Sequence, residues 1–389
     1  MIVTFDGSGV DSLLDSAVAD GVFEGVSAIV VDRDGVLHLA TAGDVDADTM
    51  FRNMSMTKAP ATVGALQLVE QGRLELEATV ESIVPEFGQL QVLAGFDADE
   101  PVLRAPASKA TVRQLMTHTS GCGYTFTNAD LHRYAQLTGA PELTSGRKAS
   151  LMGPLGRDPG TLWEYGVSTD WLGLVVEAVS GQTLDVYLQE HLYGPLGMSQ
   201  TTFYPSAEQR SRLLAITLRA SDGQLVALEL DLADDPEWAS AGSGSFGTIG
   251  DYGRFIRAML RDGELDGERV LGADTVALAF SDHLRGVPLP EIMKSADPVL
   301  TNDVPALPLP QGWGLGFQLL EADIPGGRAS GSGAWAGLCN CYYWIDRAAG
   351  VGGAIMTQVL PFFDIRIVQT LLGFEAATYG QVGSAVPAA

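Results

Sequence analysis

The chain has 389 residues, of which 46% are apolar and 18% are charged, and its formal net charge at pH 7 is −25. Its acidic residues are spread along the whole length instead of forming a tail, which is typical of a solvated acidic surface. This composition predicts a folded globular protein and argues against nucleic acid and anionic membranes as partners.

The amino-terminal residues bear on the cellular location of the protein, and the cysteines and histidines bear on disulfide and metal binding. Residues 1–6 lack a basic segment followed by an apolar run, and no stretch reaches the roughly 20 apolar residues that span a bilayer, so we expect a cytoplasmic protein. Cys122, Cys339 and Cys341 have no C-x-x-C spacing, and the five histidines have no H-x-x-x-H spacing. The sequence therefore implies no disulfide framework, no metal and no cofactor, and the cysteines are expected to be small buried residues.

A β-hairpin is predicted near the start of the chain, after an amphipathic stretch over Val10 to Val18. Residues 25–31 and 36–40 are rich in β-forming side chains and flank Asp34-Gly35. Two such runs joined by Asp-Gly are a strong signal for a hairpin.

A second hairpin is predicted more than 300 residues later. Residues 340–345 lead through a turn at 346–350 into residues 354–359, with the same β-rich pattern. We therefore predict that residues 1–60 and 310–389 form one antiparallel sheet with flanking helices.

The segment between the hairpins is predicted to be mostly helical. Apolar residues recur at helical spacing at Val63, Leu66 and Val69, at 112–116 and at 171–179. We expect residues 61–309 to be a helical insertion, with a Pro-rich surface loop near 287–310, inside a single unit of residues 1–389.

Ser55 and Lys58 introduce a long helical pattern and would share one helix face at i, i+3. A serine hydroxyl becomes a nucleophile when an adjacent base accepts its proton, and a lysine amine can serve as that base. Ser-x-x-Lys is short enough to occur by chance, and a second match stands at Ser145 and Lys148. That match lies in a polar stretch without an apolar helix behind it, so the context selects Ser55.

Two further segments contain candidate site residues. In residues 159–168, Ser168 is predicted to cap the following helix, with Tyr165 exposed just before it. A loop tyrosine is more often structural, because its ring packs and its hydroxyl finds water. Residues 331–338 are small residues that lead into a terminal strand, where a backbone can approach a ligand closely, although a glycine-rich strand entrance needs no ligand.

Taken together, these segments resemble the penicillin-recognising serine enzymes, which include class C β-lactamases, D,D-peptidases and family VIII carboxylesterases. Ser55-Met56-Thr57-Lys58 is similar to the family's S-x-x-K, and Tyr165-Gly166-Val167 falls where the family has Y-x-N. Trp335-Ala336-Gly337 falls where β-lactamases have K-T-G and is similar to the W-x-G of the esterase branch. Residues 115–121, 177–181 and 195–198 are also similar to sequence motifs of the family. The resemblance implies the α+β fold of β-lactamases and transpeptidases.

The resemblance also implies roles for individual residues. Ser55 would attack an acyl carbonyl, and Lys58 with Tyr165 would take the proton and relay it to the leaving alcohol. The backbone N–H groups of Ser55 and Leu338 would form an oxyanion hole, worth about 3 kcal/mol per donor. His118 lies in the family's T-H-T-S-G motif and is expected to have a structural role, not a catalytic one.

Departures from the family pattern favour the esterase branch. Trp335 stands where β-lactamases present a lysine to the substrate carboxylate, and an indole N–H cannot balance a buried carboxylate. Val167 stands where they place an asparagine for an amide side chain. Ala336 and Gly337, beside Trp335, are the other substrate-binding residues that the pattern implies. Aromatic walls for the substrate are expected at Tyr124, and at Phe126 and Tyr134, for which core packing is an equal alternative.

We therefore predict a carboxylic-ester hydrolase that acts through a Ser55 acyl-enzyme on small, neutral esters with apolar acyl groups. Acyl transfer or amide cleavage at the same site is the nearest alternative, followed by β-lactamase or D,D-peptidase activity. A non-catalytic binding protein is disfavoured, because such a protein needs no nucleophile beside a base. No complete G-x-S-x-G motif points to an α/β-hydrolase. The oligomeric state stays open, with a homo-oligomer as one outcome.

Overall fold

A seven-stranded antiparallel sheet is the largest sheet in the structure, a computed structural model that describes residues 5–230, 233 and 235–382. The strands, in chain order, are β1 (Gly25–Asp32), β2 (Val36–Gly43), β3 (Phe51–Arg52), β4 (Val92–Asp97), β5 (Glu100–Arg104), β6 (Thr217–Arg219), β7 (Leu225–Ala227), β8 (Phe246–Gly247), β9 (Glu264–Leu265), β10 (Glu268–Arg269), β11 (Ile292–Met293), β12 (Val304–Pro305), β13 (Gln311–Trp313), β14 (Gln318–Leu320), β15 (Gly333–Gly337), β16 (Cys341–Asp346), β17 (Val351–Met356) and β18 (Val359–Leu360). The helices are α1 (Ser8–Ala19), α2 (Lys58–Glu70), α3 (Val112–Met116), α4 (Ala129–Thr138), α5 (Ser168–Ser180), α6 (Leu184–Leu188), α7 (Ala207–Ser211), α8 (Ile249–Leu260), α9 (Ala273–Ala279) and α10 (Ile365–Val382).

The large sheet joins the two ends of the chain, in the order β13-β14-β15-β16-β17-β1-β2. Both predicted hairpins are present, as β1–β2 and as β16–β17. Strand β1 also pairs with β17, from Ser27 opposite Met356 to Asp32 opposite Val351. The predicted α+β fold, with one antiparallel sheet made from both chain ends, is confirmed.

Strand β1 is buried on both faces, and its side chains alternate between two parts of the core. Val26, Ala28 and Val30 pack with residues of α1 and α10, whereas Ile29 and Val31 pack with the larger core on the other face. Helix α8 lies on that second face. The sheet is therefore covered by helices on both sides.

The region between the sheet segments contains most of α2 and the helices α3 to α9, but it also contains several short strand pairs. These are β4–β5, β6–β7, β9–β10 and, inside the Pro-rich segment predicted to lack regular structure, β11–β12. The division of the chain at residues 60 and 310 stays a prediction. Among the helices of the described ranges, none has both the length and the apolarity of a bilayer-crossing segment.

Two local predictions need correction. The segment expected to lead into a strand is itself β15, paired with β14 and β16 inside the sheet. Ser168 does not cap α5, because Val167 is the capping residue and has no side-chain cap bond. The Ser168 hydroxyl is instead 2.8 Å from the hydroxyl of Ser120. It fastens the first turn of α5 to the Thr-His-Thr-Ser-Gly segment.

The three cysteines are buried free thiols, as expected. Burial raises the pKa of Cys122 to about 12 and that of Cys341 to about 12. The Cys341 thiol lies 3.1 Å from the backbone oxygen of Thr357. These thiols are therefore protonated and poorly nucleophilic at neutral pH.

Candidate active site

Ser55 lies in a single 3-10 turn, Met54–Thr57, that leads directly into α2. Met54 adopts a φ of +47°, which is uncommon for a residue other than glycine and turns the chain sharply before the serine. Lys58 begins α2, and its Nζ lies 3.1 Å from Ser55 Oγ. The structure brings together the serine and the lysine that the sequence singled out.

The second Ser-x-x-Lys match forms no such pair. The Ser145 hydroxyl donates to the backbone oxygen of Glu142 at 2.6 Å. Lys148 is exposed, and its Nζ lies 4.0 Å from the carboxylate of Glu177. The geometry therefore separates the two matches in the way that their sequence contexts indicated.

Lys58 is almost completely buried, with 2% of its surface exposed. Its Nζ donates to Ser55 Oγ, to the Tyr124 hydroxyl at 2.9 Å and to the backbone oxygen of Gly242 at 2.7 Å. In the neutral form that a base requires, the amine keeps two N–H groups for the Tyr124 and Gly242 oxygens and has a lone pair for the Ser55 hydroxyl. These contacts fix the amine beside the serine.

Tyr165 lies in the site, but its hydroxyl is not the one bonded to Lys58. The ring centroid of Tyr165 is 4.8 Å from Lys58 Nζ, a cation–π distance, and its hydroxyl accepts a hydrogen bond from Trp335 Nε1 at 3.1 Å. Tyr124, predicted as a pocket wall, makes the bond to Lys58 instead. The only sequence signal for Tyr124 was its place just after Ser120-Gly121.

The Tyr124 phenol is held in its neutral form. Burial raises the pKa of Tyr124 well above its ordinary value, and the nearby Asp170 and Tyr165 add to the effect. The hydroxyl therefore stays protonated at neutral pH while it accepts from Lys58. This favours a role in holding the amine over a role as a base.

Asp170 is a fully buried carboxylate that the sequence analysis missed. One of its oxygens accepts from the Ser240 hydroxyl at 2.6 Å and from the Gly242 backbone N–H at 2.9 Å. Burial raises the pKa of Asp170, and the positive charge of Lys58 opposes that rise. A Cβ on residue 242 would lie 2.3 Å from the other carboxylate oxygen, so only glycine fits there. Asp170 thus holds Gly242 through its N–H, and the carbonyl oxygen of the same residue accepts from Lys58.

His118 is enclosed by aromatic rings next to the site. Its ring centroid lies 5.0 Å from that of Tyr165 and 5.2 Å from that of Trp313. Burial, and then the Lys58 charge, hold the pKa of His118 well below its usual 6.5. A neutral, packed imidazole agrees with the structural role expected from the sequence.

Replacing His118 with asparagine is expected to weaken the acid sensitivity of folding. Only the unfolded chain binds a proton at this residue just below pH 6.5, so stability is present above that pH and is lost as the pH falls. At pH 5 the loss cannot exceed about 2 kcal/mol, the free energy of protonating an imidazole of ordinary pKa in the unfolded chain. Asparagine does not titrate and tolerates the φ of +56° found here.

Urea unfolding at pH 7 and at pH 5 measures the effect. The difference in unfolding free energy between the two pH values should shrink in His118→Asn, with the exposed His191→Asn as the matched control. An unchanged difference would show that His118 is protonated in the folded protein.

A cavity of about 270 Å³ opens beside Ser55. Of the predicted site and wall residues, its lining includes Ser55, Tyr124, Phe126, Tyr134, Val167 and Leu338. Outside its lining are Lys58, Tyr165, Trp335, Ala336 and Gly337. The Trp335 ring packs instead on Trp313, with centroids 4.7 Å apart, and on Tyr165. Trp335 therefore contacts the aromatic cluster next to Lys58 and reaches the site through Tyr165.

The end of β15 passes very close to the turn that holds Ser55. A Cβ on Gly337 would lie 2.5 Å from the backbone oxygen of Asn53, so the approach requires glycine. Leu338 follows directly, and Leu338 and Ser55 line one cavity. The oxyanion hole formed by their backbone N–H groups stays a prediction.

Arg52 is a cation in the lining of this cavity that the sequence analysis also missed. Its guanidinium lies 5.8 Å from the Phe246 ring centroid, and its Nε has no hydrogen-bond partner among the described residues. Burial lowers the pKa of Arg52, and the neighbouring Arg210, which lines the same cavity, adds to this. A partly desolvated guanidinium in a largely apolar cavity is suited to bind a carboxylate.

An antiparallel sheet built from both chain ends, a helical region between them and a buried serine–lysine pair are together the features of the penicillin-recognising serine hydrolases. The chain belongs to the Beta-lactamase family, whose sequence model matches residues 10–377. Its relatives include esterases and acyltransferases.

Three comparisons describe this kinship. The chain is 33% identical over 354 residues to monacolin J acid methylbutanoyltransferase of Aspergillus terreus, covering 87% of this chain and 83% of the relative. It is 31% identical to lovastatin esterase of Penicillium rubens, covering 90% of this chain and 93% of the relative. The unliganded simvastatin synthase LovD of Aspergillus terreus superposes with a TM-score of 0.81 at 28% identity, over 96% of this chain and 97% of that one.

Proposed function

We propose that this protein is a serine carboxylesterase that forms an acyl-enzyme on Ser55. The observation that carries the proposal is the 3.1 Å contact between Lys58 Nζ and Ser55 Oγ at the edge of a largely apolar cavity. The similarity to a lovastatin esterase over most of both chains supports ester hydrolysis. Substrates would be small, neutral esters with apolar acyl groups. A cytoplasmic location stays a prediction, and the oligomeric state stays open.

The proposed reaction has two halves. Ser55 Oγ attacks the ester carbonyl as the neutral amine of Lys58 takes its proton, and the proton passes by way of Tyr165 to the leaving alcohol. Backbone N–H groups of Ser55 and Leu338 stabilise the oxyanion of the tetrahedral intermediate. Water then attacks the acyl-enzyme, with Lys58 again as the base, and releases the carboxylic acid and Ser55.

Tyr165 is proposed for the relay because of how its hydroxyl is bonded. Its oxygen accepts from Trp335, which leaves its own O–H to donate to an incoming or departing oxygen. Tyr124 would hold the amine of Lys58, whose protons it accepts. The two tyrosines would thus divide positioning from proton transfer.

Acyl transfer to an alcohol that carries a carboxylate is the second candidate function. The Arg52 guanidinium favours it, because Arg52 lines the same cavity as Ser55 and a carboxylate on the acceptor alcohol could pair with this cation. The relative from Aspergillus terreus is named as a methylbutanoyltransferase for an acid, which supports the same candidate. Water and an alcohol would compete for one acyl-enzyme.

A panel of substrates tests both candidates. Purified protein is assayed with p-nitrophenyl butyrate, a chromogenic cephalosporin and a p-nitroanilide. The butyrate is then assayed again with a hydroxy acid and with its methyl ester as acceptors. We expect kcat/KM to be highest for the ester, because Trp335 stands where β-lactamases have a lysine for the substrate carboxylate, and loss of that contact lowers cephalosporin binding by roughly 10- to 150-fold.

The panel separates the outcomes. Product ester formed with the hydroxy acid but not with its methyl ester would indicate transfer assisted by Arg52. Opening of the cephalosporin ring with a higher kcat/KM than butyrate hydrolysis would place the protein in the β-lactamase branch. Absence of turnover with every substrate would support a binding protein.

A further inference from the structure

A second groove lies next to the active-site cavity and shares a wall with it. We call it the rear groove. Its lining includes Ile83, Val84 and Leu174, with Glu86 and Lys148 among its charged members. Two residues line both spaces, Leu151 and Trp171. The two spaces are thus separated by the thickness of these side chains.

The two wall residues differ in how firmly they are held. Trp171 is 1% exposed and lies in α5, and its ring meets that of Phe87 edge-on with centroids 5.0 Å apart. Leu151 is 2% exposed and belongs to the short 3-10 turn Lys148–Met152. Leu151 is the smaller side chain on the shorter element, so it is the part of the wall that a substitution can remove without dismantling a helix.

Both wall residues and Val167 line the cavity that opens beside Ser55. The resemblance to β-lactamases puts Val167 where they have the asparagine of Y-x-N. Trp171 is one helical turn further along, and its backbone N–H donates to the oxygen of Val167 at 3.2 Å. Both side chains line the cavity. A linear acyl chain that passes Val167 would therefore reach Trp171 and Leu151 next.

We propose that Leu151 sets the acyl-chain length by closing the cavity, and that the rear groove takes the end of a linear acyl chain once this side chain is shortened. The inference rests on the proposed function. The groove suits methylene groups because most of its lining residues are apolar and two of them also line the cavity.

The test is a chain-length profile with p-nitrophenyl esters from C4 to C12. Leu151→Ala should raise the ratio of kcat/KM for C12 to that for C4 by about tenfold or more, because each added methylene is then buried in the groove. Leu151→Val, a milder change, should move the ratio in the same direction by less. Leu131→Ala is the matched control, because Leu131 is equally buried and lines only the active-site cavity.

A second substitution, inside the rear groove, tests whether the groove itself holds the acyl chain. Ala178 is exposed on α5 and lines the rear groove alone. Ala178→Trp should abolish the gain of Leu151→Ala and leave the profile of the otherwise unchanged protein as it was. A profile that Leu151→Ala does not alter, or that Leu131→Ala alters equally, would overturn the proposal.

Binding measured without turnover separates this inference from the proposed function. In the Ser55→Ala background, calorimetry compares methyl hexanoate with methyl dodecanoate, with and without Leu151→Ala. Tighter binding of the longer ester only when Leu151 is shortened supports the groove, even if no esterase activity exists. Equal affinities would overturn it, even if Ser55-dependent hydrolysis is found.

Discussion

Ser55→Ala is expected to reduce kcat for ester hydrolysis by about 10⁵-fold or more, because removal of the nucleophile eliminates the covalent route altogether. The residual rate would come from the remaining oxyanion and binding contacts. The fold should persist, because the change removes one hydrogen bond to Lys58, worth about 1 kcal/mol. Steady-state kinetics and thermal unfolding measure the two effects.

A fluorophosphonate probe gives a direct chemical readout of the same serine. Mass spectrometry of the labelled protein should locate the phosphonyl group on Ser55, and the Ser55→Ala protein should not be labelled. Ser145→Ala is the matched control, because Ser145 belongs to the other Ser-x-x-Lys match and lacks the lysine contact. Labelling of Ser145, or full turnover without Ser55, would contradict the assignment.

The parts of the site that the sequence predicted are those encoded by short spacings. Ser55 and Lys58 are three residues apart, so the helical period alone puts them side by side. The sheet was predictable for a similar reason, because each hairpin is a local pattern and only their pairing, β1 with β17, is long-range. Trp335 was recognised by its motif, yet its contact with Tyr165 spans 170 residues and had no local signal.

The unpredicted contacts are those made across the fold by residues without a motif. Lys58 bonds to Tyr124, 66 residues away, and to Gly242, 184 residues away. Asp170 was hidden for another reason, since a carboxylate inside an apolar helical pattern is indistinguishable by sequence from one at a polar helix face. Its burial, and its bond to the Gly242 N–H, appear only when α5 packs against the loop at 240–243.

These contacts give the proposed base a complete frame. Asp170 accepts from the Gly242 N–H, the Gly242 oxygen and the Tyr124 hydroxyl accept N–H groups of Lys58, and Lys58 Nζ lies 3.1 Å from Ser55 Oγ. Because a general base must be held within hydrogen-bond reach of the proton it takes, such positioning matters before any adjustment of basicity. The frame predicts that Tyr124 and Tyr165 contribute to catalysis in different ways.

Lys58→Ala and Tyr165→Phe are each expected to lower kcat by about 10³-fold or more, and the double variant should be little slower than either single one. The reason is that the proton passes from Ser55 to Lys58 and then through Tyr165 to the leaving alcohol. Removing either group therefore interrupts the same proton-transfer path. Tyr124→Phe should cost less, about 10- to 100-fold, because it removes one of three acceptors that hold the amine and leaves the relay intact. The raised pKa of Tyr124 agrees with this, since a phenol that stays neutral is a poor base.

A double-mutant cycle on kcat distinguishes the two tyrosines, with thermal unfolding of each variant to show that it is folded. Strong non-additivity between Lys58→Ala and Tyr165→Phe is the expected result, and simple additivity would mean that the two groups act independently. If Tyr124→Phe instead matches the loss in Lys58→Ala while Tyr165→Phe stays active, the proton passes through the hydroxyl that Lys58 touches at 2.9 Å. Trp335 would then have no part in the relay, because its indole N–H donates to the other tyrosine.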